Sequence, residues 1–96
     1  MAKELTPFPA SAAILDKIES RHKVEWQEVQ DVFRNHPRLF RFLSVDQYGE
    51  PRYYAWGQTT AGRYLTVVYV PVPPSRAKVI TVRDMDASER RRFWRK

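Results

Sequence analysis

No cysteine occurs in this 96-residue chain. That excludes a disulfide framework and all thiolate metal or redox chemistry. Glycine is almost as scarce. Gly49, Gly57 and Gly62 are the three in the chain, too scattered to cradle a phosphate as a glycine-rich loop does. The histidines are two, His22 and His36, with no second ligand at metal-binding spacing, so neither a metal nor a cofactor is expected. No nucleophile elbow accompanies the serines. No apolar run approaches the ~18 residues of a membrane span. The opening MAKELTPFPASAAIL, with Lys3, Glu4 and two prolines before a short apolar patch, does not make a secretory signal, and a cytoplasmic protein is expected.

Basic and aromatic residues are abundant. Lys and Arg number 17 against 11 Asp and Glu, a formal charge of +6. Arginine outnumbers lysine, and its planar fork clasps phosphate through two hydrogen bonds. A small basic domain carrying aromatics points toward phosphate backbones as partners.

The chain reads as one domain over residues 1–96, with Met1 to Ala10 as an arm broken by Pro7 and Pro9. Ser11 is a candidate N-cap for a helix from Ala12 to about Arg21–Lys23, with Ile14 and Ile18 one turn apart. A second helix is expected from Glu25 to Arg34, where Trp26, Val29 and Phe33 form a stripe and Val24 staples onto Val29. Asn35-His36-Pro37 ends it. Arg38 to Val45 alternates as a strand, and Asp46 to Pro51 is a loop.

The centre of the chain is a hairpin. Arg52 to Thr59 and Tyr64 to Val70 are the strands, and Thr60-Ala61-Gly62-Arg63 is the turn. The second strand is apolar on both faces, which argues for a strand inside a sheet covered on at least part of both sides. A proline loop, Pro71 to Ser75, leads to a strand from Ala77 to Arg83. Asp86, three residues before Glu89, makes a capping box for a last helix from Ala87 to Trp94. The order ααββββα implies an α+β fold: a small antiparallel four-stranded sheet packed by two N-terminal helices and one C-terminal helix.

Arg63 at the turn, Arg83 at the strand end and Arg90 to Arg92 on the last helix are expected to converge at one end of the sheet. Arg83 should share a face with Val79 and Thr81. A basic cradle of this kind suits RNA cleavage by the 2′-hydroxyl, which needs a base, an acid and cations but no metal. Candidate proton carriers are His22, Glu89, Glu28 and the tyrosines.

Three segments resemble one known family, and they follow its order. AWGQTTAGRYLTVVY is similar to I-x-G-x-S/T-x-x-G-R-x-L-x-V-V-Y/F of the BrnT-like toxins. VITVRDMDASERRRFWRK resembles that family's I-I-S-A-R-x-A/M-T-x-x-E-R-R-R-Y ending, and RHKVEWQEVQDVF its K-H-G-V-S-F-E-E-A-x-x-V-F segment. Together they span most of residues 21–95. The resemblance implies a RelE-like fold and a ribonuclease toxin of a type II toxin–antitoxin pair. It also implies a BrnA-like antitoxin partner, through which alone operator DNA is met. Carried over by position are His22, Glu28, Arg63, Arg83, Glu89, Arg90 and Arg91. Lys23 stands where the family has glycine, Glu25 where it has a capping serine, Phe8-Pro9 where it has Trp-Asp, and Phe93 where it commonly has tyrosine.

The resulting expectation is a metal-independent RNA endonuclease. Arg83, Arg63, His22 and Glu89 would be catalytic, and Arg90, Arg91, Arg92 and Lys23 would bind RNA. A non-catalytic nucleic-acid-binding module, and an interaction subunit whose sheet face or edge receives an antitoxin segment, are the alternatives.

Overall fold

The computed structural model describes residues 5–45, 49 and 51–94. Five strands and three helices follow one another: β1 (Thr6–Pro9), α1 (Ala12–His22), α2 (Trp26–Arg34), β2 (Arg38–Val45), β3 (Pro51–Gln58), β4 (Tyr64–Val72), β5 (Arg76–Asp84) and α3 (Ala87–Trp94). The sheet order is β1-β5-β4-β3-β2, antiparallel except for the parallel pair β1–β5.

The fold is α+β as expected, but the sheet is mixed and has five strands. The segment expected to be a loose arm is its edge. The amides of Thr6 and Ala10 donate to the carbonyls of Ser75 and Val79 at 3.0 Å each. Pro7 and Pro9 fall at the alternate positions, whose nitrogens face away from β5. A missing donor there removes no ladder hydrogen bond, so an edge strand tolerates both prolines. Pairing also continues into the proline stretch, where Pro71 and Val72 lie opposite Ala77 and Arg76. The loop expected over Asp46 to Pro51 lies, apart from Gly49 and Pro51, outside the described residues.

β4 is the central strand, and Leu65 to Val70 are all buried, as apolar faces on both sides require. Leu65, Val67 and Tyr69 form the core with Ile18, Val29, Val32 and Phe33, so α1 and α2 cover that face. Phe33 meets Tyr69 edge-on at 5.6 Å between centroids. Val24 and Val29, the expected staple, are both fully buried. Glu28 reaches back to accept from the Glu25 amide at 3.0 Å and so compensates for a poor N-cap. Gly57 lets β3 approach α2 closely: a Cβ built there would lie 3.0 Å from Val32 Cγ1.

The opposite face carries Tyr64, Thr66 and Val68, with Trp56 and Tyr54 from β3 in register beside them. α3 lies on this side. Its residues Phe93 and Trp94 meet the Tyr64 ring edge-on, and the Arg92 guanidinium stands 6.0 Å from the Trp56 ring centre. Arg38 holds the end of α3 by donating to the carbonyls of Arg92 and Phe93 at 2.8 and 2.9 Å.

One irregularity decides which side chains meet. In β5, Val79 pairs with Tyr69 and Thr81 pairs with Val68, which leaves Ile80 as an extra residue. A bulge of this kind reverses the alternation beyond it. Ala77 and Val79 therefore point into the helix-covered core, whereas Thr81 and Arg83, opposite Val68 and Thr66, point to the α3 side. The expectation that Arg83 shares a face with Val79 is corrected by this one inserted residue.

Candidate functional site

The arginines expected to converge do not all do so. Arg63 lies on the helix-covered side, at the junction of α1 and α2. Its Nε and Nη2 donate to Asp84 at 2.7 and 3.1 Å. Nη1 donates to the Lys23 carbonyl at 2.7 Å and to Glu28 at 3.1 Å, and Nη2 also donates to the His22 carbonyl at 2.8 Å. Every donor direction of the guanidinium is engaged. This is a clamp that closes the last carbonyls of α1, the first turn of α2 and the end of β5 onto the hairpin turn. The turn is rigid in its own right: Gly62 takes φ +97, its amide donates to Thr59 O at 2.9 Å, and Thr59 Oγ1 accepts from the Arg63 amide at 3.0 Å. Asp31 of α2 accepts from the Thr60 amide at 3.2 Å.

His22 and Lys23 belong to this clamp through their carbonyls. Lys23 is exposed and adopts the left-handed conformation at φ 54, ψ 39. It stands at the glycine position of the motif and takes the backbone geometry a glycine favours there. The hydrogen-bonded Arg63 holds the Asp84 carboxyl below its ordinary value, against the opposing effect of burial.

Arg83 lies on the other face. Its two terminal nitrogens grip Glu89 of α3 in a fork, at 2.6 and 2.9 Å. Glu89 is 8% exposed and is also one half of the capping box: its Oε1 accepts from the Asp86 amide at 3.0 Å, and Asp86 Oδ1 accepts from the Glu89 amide at 2.8 Å. Burial pushes the Glu89 carboxyl up, but Arg83 and the Asp86 amide outweigh it and hold the group below its ordinary value. The same hydrogen bond raises Arg83 further. The fully buried Thr66 lies beneath the pair and adds a smaller downward pull on the Glu89 carboxyl.

Arg90, Arg91 and Arg92 follow on α3, all exposed. Among the described residues none of them pairs with a carboxylate. Arg90 lies over the Tyr64 ring at 4.5 Å. Arg83, with its side chain 37% exposed, lies on the side of the sheet that carries α3, where Arg90 lies over Tyr64, Arg92 over Trp56, and Arg91 stands beside Ala87 and Trp94. Phosphate oxygens suit such side chains, because each guanidinium offers a charged fork.

Of the expected site residues, the structure pairs Arg83 with Glu89 and carries Arg90, Arg91 and Arg92 on the same helix as Glu89, and it gathers Arg63, His22 and Lys23 with Glu28 on the opposite face. Sequence reasoning did not single out Trp94 or Arg38. The aromatic pair Phe93-Trp94 directly after three arginines was a signal for the first. Nothing local signals the second, because Arg38 reaches α3 across 54 residues of chain.

No group of three metal-ligating side chains comes together among the described residues, and no helix there is long and apolar enough to cross a membrane. No curated protein matches the chain significantly. The family model for the ribonuclease toxin BrnT of type II toxin–antitoxin systems matches residues 16–89, about three quarters of the chain, including Arg63, Arg83 and Glu89. The chain therefore belongs to the BrnT family of type II toxin–antitoxin ribonuclease toxins.

Proposed function

We propose that this chain is a metal-independent RNA endonuclease whose centre is the Arg83–Glu89 pair. The observation that carries the reading is that bidentate pair, partly open to solvent, on a helix whose next three residues are arginines with no carboxylate partner among the described residues. In the reaction the ribose 2′-oxygen attacks the adjacent phosphorus and the bond to the 5′-oxygen breaks, leaving a 2′,3′-cyclic phosphate and a 5′-hydroxyl. Glu89 takes the 2′-hydroxyl proton, and the leaving oxygen is protonated from solvent. Arg83 holds the phosphate oxygens as negative charge builds on them.

The pair couples these roles. While Arg83 grips Glu89, the carboxylate is a weak base. When a phosphate takes the guanidinium fork, Glu89 loses the interaction that lowers it and keeps the burial that raises it. Its proton affinity then rises where a base is needed. Arg90, Arg91 and Arg92 bind flanking backbone. Arg63, His22 and Lys23 shape the scaffold in this reading, since the Arg63 donors are all engaged on the far side of the sheet.

The fold is RelE-like in this reading, the protein acts in the cytoplasm, and a BrnA-like antitoxin neutralises it and alone contacts operator DNA. The test is incubation of the purified protein with RNA in EDTA. Cyclic-phosphate products from the wild type, and loss of cleavage in Glu89→Gln measured well below its melting transition, support the reading. Glutamine retains the capping geometry but not the base. One observation favours the second reading, a binding module: Phe93 brings a ring, without a hydroxyl, against Tyr64. Tight, salt-dependent RNA binding with no cleavage by the wild type selects that reading.

A further inference from the structure

Beyond the last matched residue, Glu89, α3 carries a further feature. Ala87, Arg90, Arg91 and Trp94 line a shallow notch on one face of the helix, spaced at i, i+3, i+4 and i+7. Trp94 is the most exposed of the large apolar side chains described, at 62%. An indole so exposed at a chain end is ordinarily loose, yet this one is held on several sides. Its Nε1–H donates to the Tyr64 hydroxyl at 3.2 Å. The Tyr64 and Phe93 rings meet it edge-on, with centroids 6.0 and 5.4 Å away. Arg90, laid over Tyr64, fixes the other side of that tyrosine. The bound edge and the edge-on neighbours orient the ring and leave indole surface open to solvent. Ala87, with its small side chain, leaves room in the notch, and Arg91 stands beside it, exposed and without a carboxylate partner among the described residues.

We propose that this notch is a nucleotide subsite: one unpaired RNA base stacks on Trp94, and its phosphate is held by Arg91 with Arg90 behind it. An aromatic face next to guanidiniums is what a single strand requires, because every base has a π-face and every link a negative charge. A double helix would offer phosphates but no free base to the indole. The subsite rests on the ribonuclease reading for its choice of RNA. It adds that the substrate is single-stranded where it crosses α3.

The test compares binding of a uridine oligomer with that of the same oligomer carrying abasic residues, using wild type, Trp94→Ala, Trp94→Phe and Arg91→Ala. Wild type should prefer the intact oligomer. Trp94→Ala should lose about tenfold in affinity for it and bind both oligomers alike. Trp94→Phe should retain most of the preference. Arg91→Ala should weaken both oligomers equally and lower the salt slope by about 1. An iodouracil-containing oligomer irradiated on the wild-type protein should crosslink at Trp94, a readout independent of any variant's folding. Equal affinity of wild type and Trp94→Ala, or crosslinks only elsewhere, overturns the subsite while cleavage by the wild type still upholds the ribonuclease reading. Trp94-dependent base preference without cleavage does the reverse. No binding of either oligomer by the wild type overturns the subsite outright.

Discussion

Arg63 and Asp84 are joined by two nearly parallel hydrogen bonds, at 2.7 and 3.1 Å, across the mouth of the β4–β5 pair. The same guanidinium closes two carbonyls at the end of α1, so one side chain ties three elements to the hairpin turn. Arg63→Ala leaves those carbonyls and the half-buried Glu28 without their donor. It should destabilise the fold by about 2 kcal/mol, which for a domain of this size lowers the melting temperature by roughly 10 °C. Lysine should rescue little, having a single ammonium where a five-donor fork is used. Thermal unfolding followed by circular dichroism checks this. Cleavage measured well below the transition should survive the substitution.

Acid should act through the same carboxylates. Asp84 and Glu89 both titrate lower in the folded chain than their ordinary values. A depressed carboxyl contributes stability above its unfolded pKa and loses it as pH falls through the folded one. The melting temperature should therefore fall between about pH 5 and 3, and Asp84→Asn should flatten that fall while lowering stability at neutral pH. A melting series across this range reads the slope directly.

Arg83 and Glu89 should separate stability from chemistry. Arg83→Ala strands a buried carboxylate, so it should reduce both cleavage and stability. Adding Glu89→Gln removes the stranded charge, and the double variant should regain about 1–2 kcal/mol over Arg83→Ala without regaining activity. Denaturant melts alongside product analysis distinguish the two effects. A double variant no more stable than Arg83→Ala would show that the pair contributes little to folding.

Lys23 occupies a left-handed backbone at φ 54, a conformation that costs a side chain about 1 kcal/mol and a glycine almost nothing. Lys23→Gly should raise the melting temperature by a few degrees, because the carbonyl that Arg63 uses is unchanged. Gly57→Ala should do the opposite. The added methyl meets Val32 Cγ1 at 3.0 Å and should push α2 off β3 at a cost of about 1–3 kcal/mol.

Much of this protein was legible along the chain because the rules involved are local. The capping box of α3 depends on Asp86 and Glu89 three residues apart, and both of its hydrogen bonds form. The apolar run of β4 depends on its own composition, and that strand is the centre of the sheet. Pro7 and Pro9 misled because proline's penalty depends on which side of a strand faces a neighbour, and the chain alone does not say whether a neighbour exists.

The sequence by itself determined the helices, the central hairpin, the surplus of arginine and the family. Only the tertiary structure decided which arginines act together. Ile80 is one extra residue in β5, and a strand alternates with a period of two, so a single insertion turns every side chain beyond it to the other face. That bulge sends Arg83 to α3 and away from Arg63, and it separates the arginine that pairs with Glu89 from a clamp built of the same residue type.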